Sequence, residues 1–143
     1  MNNLIDTHCH LNFPQFRNNL DEIVERAIKS GISKIVTISI KLSEINDIIS
    51  ITNKYSHIYN SIGVHPHECK NYQDLTVNDL IKYTKHPKCI GIGETGLDYY
   101  YENSPKKLQK DIFMIHIEAA RKSNLPLIVH TRNADADTIE ILQ

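Results

Sequence analysis

The residues of this chain most able to do chemistry are four histidines and a glutamate, each at the carboxyl end of a strand-like run. The runs are LIDTHCH (Leu4–His10), YNSIGVHP (Tyr59–Pro66), CIGIGETGLDYY (Cys89–Tyr100) and PLIVHT (Pro126–Thr131). Successive side chains leave opposite faces of a strand, so His8 and His10 point one way and Cys9 the other. Two imidazoles on one face suit a divalent ion, and Asp6 shares that face one layer deeper. An isolated HxH more often just hydrogen-bonds at a polar strand end. Three further strand ends with similar groups favour a metal here. Parity sends Cys9 toward surrounding helices, where cysteine acts as a small hydrophobe rather than a thiolate ligand.

Glu94 follows Gly91-Ile92-Gly93. The glycines imply a bend or a close backbone approach, and a carboxylate has two oxygens with which to bridge two ions. His130 ends a run of four apolar residues, the mark of a strand buried on both faces, and a histidine there needs a partner or a metal. His65, followed at once by Pro66, is a further ligand, a hydrogen-bond donor to a substrate phosphate, or a histidine that stabilises its loop. Arg132 is placed to clamp an anionic oxygen or to form a surface salt bridge. Asp98 precedes Tyr99, Tyr100 and Tyr101, residues able to stack single-stranded bases or to serve as part core, part lid. His67 reads as bland, His116 as structural, and His57 and His86 as surface or turn residues. Asp135 and Asp137 read as capping or decorating the last helix.

These side chains meet only if their strands lie side by side, which the rest of the chain supports. Strands are expected at Leu4–His8, Lys34–Ser39, Ile58–Val64, Cys89–Gly93 and Leu127–His130. Helical spacing links Leu20, Ile23, Val24, Ala27 and Ile28, closed by Gly31. Ser43 is expected to cap a second helix and Thr76 a third. Ser104-Pro105 predicts a start with serine at the N-cap and proline at N1. That helix carries Leu108, Ile112, Ile115 and Ala119 and closes near Ser123-Asn124. A fifth helix opens at Asp135. Such alternation implies right-handed βαβ units and a parallel sheet. Periodicity alone leaves open an open doubly wound sheet or part of a (β/α)8 barrel. A GxGxxG after the first strand, which a dinucleotide fold would carry, is absent.

At 143 residues the chain is long enough for one domain, taken as residues 1–143. A formal net charge of −1 provides no global attraction to nucleic acid. Three cysteines without CxxC spacing argue against a disulfide framework or a zinc ribbon. The first strand begins almost at Met1, leaving no room for a signal peptide, and no apolar run approaches a membrane span. A cytoplasmic protein without a membrane partner is expected.

DTHCHLNF, GVHP, GETGLDYYY and PLIVHTRNADADT, in this order from Asp6 to Thr138, resemble the successive signatures of the TatD-type metal-dependent hydrolases, also called TatD deoxyribonucleases. The resemblance implies an α/β fold: a partial TIM-type (β/α)8 barrel with about five of its eight βα units present. It implies metal ligands His8, His10, Glu94 and His130, with Glu94 also catalytic and bridging two divalent ions (Mg, Mn or Zn). From the residues themselves, apart from the resemblance, substrate-binding roles are expected of His65, Asp98 and Arg132. DNA is the implied substrate, cut at its phosphodiester bonds by a two-metal site.

The family pattern also includes a histidine in an HCF-like stretch on a sixth strand and an aspartate in an ETD-like stretch on an eighth. Neither stretch occurs in these residues. The expectation is therefore a truncated hydrolase domain with little or no nuclease activity alone. It would be completed by a second chain that supplies the missing strands, or it would self-associate through open sheet edges. The alternatives are a non-enzymatic remnant, a metal-binding interaction module, or a barrel hydrolase acting on another bond such as the ester of aminoacyl-tRNA.

Overall fold

The computed structural model describes residues 3–143. Met1, on which the expectation about a signal peptide rested, lies outside them. Five strands form one sheet: β1 (Leu4–Cys9), β2 (Ile32–Thr37), β3 (Ile58–Ile62), β4 (Cys89–Asp98) and β5 (Leu127–Arg132). All neighbours are parallel and the order is β1-β2-β3-β4-β5. Each strand lies beside its predecessor, as in a barrel wall, whereas a doubly wound sheet reverses its order at a switch point. The strands curl into a half-barrel with helices α1 (Leu20–Lys29), α2 (Ile45–Lys54), α3 (Val77–Thr84), α4 (Lys106–Ser123) and α5 (Asp135–Leu142).

The core lies between the sheet and its helices. Ile45 and Ile48 of α2, Leu80 of α3 and Ile112 and Ala119 of α4 pack with Ile62 and Ile92. Val24 of α1 packs with Leu11, Ile35 and Ile58. Each fully buried isoleucine contributes roughly 1.5–3 kcal/mol of transfer free energy. Thr76 caps α3 in a reciprocal box with Asp79. Gly31 has φ 93° after α1, and Asn124 has φ 55° after α4, the left-handed closures the sequence predicts. No helix among the described residues is long and apolar enough to cross a membrane.

Three local expectations are corrected. Strand β4 does not stop at Gly93 but continues to Asp98, so Glu94 lies within it. Ser43 does not cap α2. A 3₁₀ turn over Leu42–Glu44 leads into that helix, and the Ser43 amide donates to the Tyr72 hydroxyl at 3.2 Å. Pro105, not Ser104, is the N-cap residue of α4. Ser104 is buried, accepts from the Lys70 amide at 3.0 Å and donates to the His67 carbonyl at 3.2 Å. Those backbone groups, in the turn after β3, need partners more than the helix needs its cap.

Candidate metal centre

His8 and His10 lie at the carboxyl end of β1, and His65 follows β3. Glu94 and His130 stand in β4 and β5. The ligand atoms of His8, His10 and Glu94 lie within 4.8 Å of one another, and so do those of His65, Glu94 and His130. Glu94 belongs to both groups. Its Oε2 is 3.4 Å from His8 Nε2, and its Oε1 is 3.2 Å from His130 Nδ1. The sequence-predicted residues therefore converge, and His65 converges with them.

The backbone beneath Glu94 is held by a ladder of buried serines. Ser61 Oγ donates to the Gly93 carbonyl at 2.6 Å, and Ser39 Oγ donates to the Gly63 carbonyl at 3.1 Å. The Glu94 amide donates to the Ser39 carbonyl at 3.0 Å. Strand β4 carries one extra residue against β5 here: Ile92 pairs with Leu127, but Thr95 pairs with Val129. Such a bulge re-aims a side chain next to a site.

Each imidazole has a defined orientation. His10 Nδ1 donates to the Ile38 carbonyl at 3.0 Å, so Nε2 keeps its lone pair, and the ring stacks on Phe13 with centroids 4.7 Å apart. His65 Nδ1 accepts from the His67 amide at 3.2 Å, which puts the proton of the neutral ring on Nε2, 3.3 Å from His130 Nδ1. Burial, opposed by the nearby Glu94 charge, pushes His65 down to about 4, so the ring is neutral near pH 7. The hydrogen bond to Glu94 raises His130, burial opposes it and Asp98 adds to it; the net shift is upward. Burial would raise the Glu94 carboxyl, but the His130 hydrogen bond and nearby imidazole charge outweigh it and leave Glu94 below the usual range.

Sequence reasoning missed two features. His67 is not bland: its Nε2 lies 2.8 Å from Asp98 Oδ2. Gln109 reaches from α4 to hold Asp98. Its side-chain oxygen accepts from the Asp98 amide at 2.8 Å, and its side-chain nitrogen donates to the Asp98 carbonyl at 3.1 Å. A glutamine on the buried face of an otherwise apolar helical stripe was the available signal. Asp98 is buried, with both oxygens engaged. Arg132 stands with its guanidinium carbon 4.1 Å from the Tyr100 ring centre and 4.6 Å from that of Tyr101. His116 bridges structure as expected, donating to the Ile112 carbonyl at 2.8 Å and accepting from the Val64 amide at 2.9 Å. Cys9 points to the Val36 carbonyl, and burial pushes its thiol up to about 12. Asp135 and Asp137 do not cap α5; they lie in its first turn, and Asp137 accepts from the Tyr99 hydroxyl at 2.6 Å.

A cleft of about 270 Å³ opens here, lined by His10, Phe13, His65, His67 and Glu94 among others. Larger clefts of about 410 and 700 Å³ border the amino ends of β5 and of β1 and β2, without such a cluster of donors. Chemistry, not size, identifies the site. Imidazole and carboxylate donors on two adjoining groups fit first-row divalent ions, zinc included.

Comparison with known proteins finds relatives described as metal-dependent. The TatD related DNase family matches residues 5–143. An uncharacterized metal-dependent hydrolase of Buchnera aphidicola is 40% identical over 98% of this chain and 56% of its own length. YabD of Bacillus subtilis, also described as a metal-dependent hydrolase, is 38% identical over 98% of this chain and 55% of its own. A 3'-5' ssDNA/RNA exonuclease TatD of Escherichia fergusonii is 29% identical over 98% and 54%. The crystal structure of YjjV, a TatD homologue from Escherichia coli, superposes with a TM-score of 0.90 at 25% identity, covering 97% of this chain and 54% of that one. The chain thus spans about half the length of the relatives it matches. Sequence, strand order and the His/Glu cluster lead to one conclusion: this chain belongs to the TatD family of metal-dependent hydrolases.

Proposed function

We propose that the chain carries most of the metal-binding half of a phosphodiesterase site acting on DNA, with two divalent ions sharing Glu94. The observation that carries this is the double engagement of Glu94, with Oε2 facing His8 and Oε1 facing His130. His8 and His10 would hold one ion and His130 the other. Divalent ions there would acidify a water and neutralise charge on a phosphoryl oxygen. The exonuclease named among the relatives supports nucleic acid as the substrate class.

The chain's own groups have separable tasks. Glu94 fixes the distance between the two imidazole groups. His65, neutral with its proton on Nε2, donates a hydrogen bond to a phosphate oxygen. Arg132 meets the substrate's negative charge at the rim. The ionised Glu94 and Asp98 repel a phosphodiester on their own, so the mouth suits this substrate only with cations present. Leu4 and Ile5 on β1 and Val129 on β5 stay exposed at the sheet edges. Those edges are where a second polypeptide, or a second copy, would pair.

Calorimetric titration with Mn²⁺ and release of nucleotides from end-labelled single-stranded DNA, with EDTA as control, test the proposal. The expected result is Mn²⁺ binding weakened at least tenfold by Glu94→Ala, and nuclease activity that is weak for the chain alone and abolished by EDTA. Undiminished Mn²⁺ binding in Glu94→Ala would overturn it. So would release of amino acid from aminoacyl-tRNA with no nucleotide released from DNA.

A further inference from the structure

We propose that Asp98 is a positioning residue for the metal centre: it holds the His130 proton on Nε2, so that Nδ1 is the atom His130 offers to an ion. This rests on the function proposed above. Asp98 Oδ2 lies 3.2 Å from His130 Nε2, while His130 Nδ1 lies 3.2 Å from Glu94 Oε1. A metal ligand is oriented by whatever its second ring nitrogen donates to, and a carboxylate is the strongest such acceptor.

Asp98 suits this task because it cannot turn away. Oδ1 accepts from the Tyr100 amide at 3.1 Å and the Tyr101 amide at 3.0 Å. Oδ2 is shared between His130 and the Nε2 of His67, at 2.8 Å. Gln109 bonds both backbone groups of the same residue. With both oxygens occupied in a buried carboxylate, Asp98 is unsuited to the substrate contact expected of it from the sequence. It links the loop carrying Tyr100 and Tyr101 to the ring nitrogen of His130 that would be turned away from the ion.

Asp98→Asn separates this role from simple bulk. An amide matches either the two N–H donors of the loop or the two imidazole N–H groups, not both. If its NH2 faces the histidines, His130 Nε2 becomes an acceptor and the ring proton moves to Nδ1. The first measurement is long-range 15N–1H correlation on metal-free wild-type protein, at a pH where the ring carries one proton. The Nε2–H tautomer of His130 is expected, and an Nδ1–H tautomer would overturn the proposal. The second is Mn²⁺ affinity of Asp98→Asn, with far-UV circular dichroism confirming the fold. A loss of about 10–100-fold is expected; wild-type affinity in a folded variant overturns the assignment. Should that variant not fold, the wild-type tautomer decides alone. Wild-type protein that binds no Mn²⁺ overturns the metal role of both Asp98 and the proposed site, whereas a wrong tautomer with intact Mn²⁺ binding overturns only the positioning.

Discussion

Gly96 and His130 are register partners across β4 and β5. Because side chains alternate along a strand, Glu94 and Asp98 flank this pair on the same face. The His130 ring lies opposite a residue with no side chain and reaches a carboxylate at each nitrogen. Gly96 has φ 136°, and a Cβ added there would sit 2.0 Å from the His130 carbonyl oxygen. Gly96→Ala is therefore expected to push β5 outward, costing about 2–4 kcal/mol and weakening Mn²⁺ binding. Urea unfolding and calorimetry check both, and a variant matching wild type in both would contradict the close approach.

Doubly protonated His130 faces a carboxylate with each ring N–H, and the hydrogen bonds to Glu94 and Asp98 raise the pKa of this charged form. Below that raised pKa an ion that takes Nδ1 must displace the second proton. Metal affinity should fall by about tenfold per pH unit below the raised pKa and level off above it. Titrations in two buffers of different ionisation enthalpy at pH 6 should show release of a proton from the ring. Binding with no proton released there would argue against His130 as a ligand.

His116 pins the segment that follows β3, at Val64, one residue before His65. Burial lowers its pKa to about 4 from an ordinary 6.5. The sign follows from which state binds the proton first. As pH falls from 6.5 toward 4, the unfolded chain takes up the proton and the folded one does not, so stability present in full above 6.5 is lost through that window. The loss reaches about 3 kcal/mol by pH 4. His116→Phe should cost about 1–3 kcal/mol at pH 7 by orphaning the Val64 amide, and should remove this part of the acid sensitivity. Parallel pH dependences of unfolding for the two proteins would refute the account.

The Cys9 thiol, half-buried against β2, is held up to about 12 by burial and by the charge of Asp6. Cys9→Ala should leave Mn²⁺ affinity unchanged and cost about 1 kcal/mol. Iodoacetamide should modify this thiol far more slowly in the folded chain than in urea. A drop in metal affinity would restore the thiolate-ligand alternative.

Local sequence determined which segments become strands and helices, and which polar side chains stand at their ends. The period-2 parity of His8-Cys9-His10 separated the two histidines that face the Glu94 cluster from the cysteine packed toward the helices, because that parity is local geometry. Thr76 opened its helix, and Gly31 and Asn124 closed theirs, as capping chemistry requires. The length of β4 was not legible: Gly93, Gly96 and Asp98 lower strand propensity, and their reason for being there lies in neighbouring strands. The importance of His67, Gln109 and the Ser39–Ser61 ladder was equally hidden, because each acts on residues 22 to 32 positions away or on another element. Only the tertiary structure decided between barrel wall and doubly wound sheet, since that choice is one of strand order, on which hydrophobic period is silent. Only it placed Glu94 between two imidazole groups, and Asp98 behind one of them, because contacts across parallel strands depend on register, a property of pairs of segments and not of either alone.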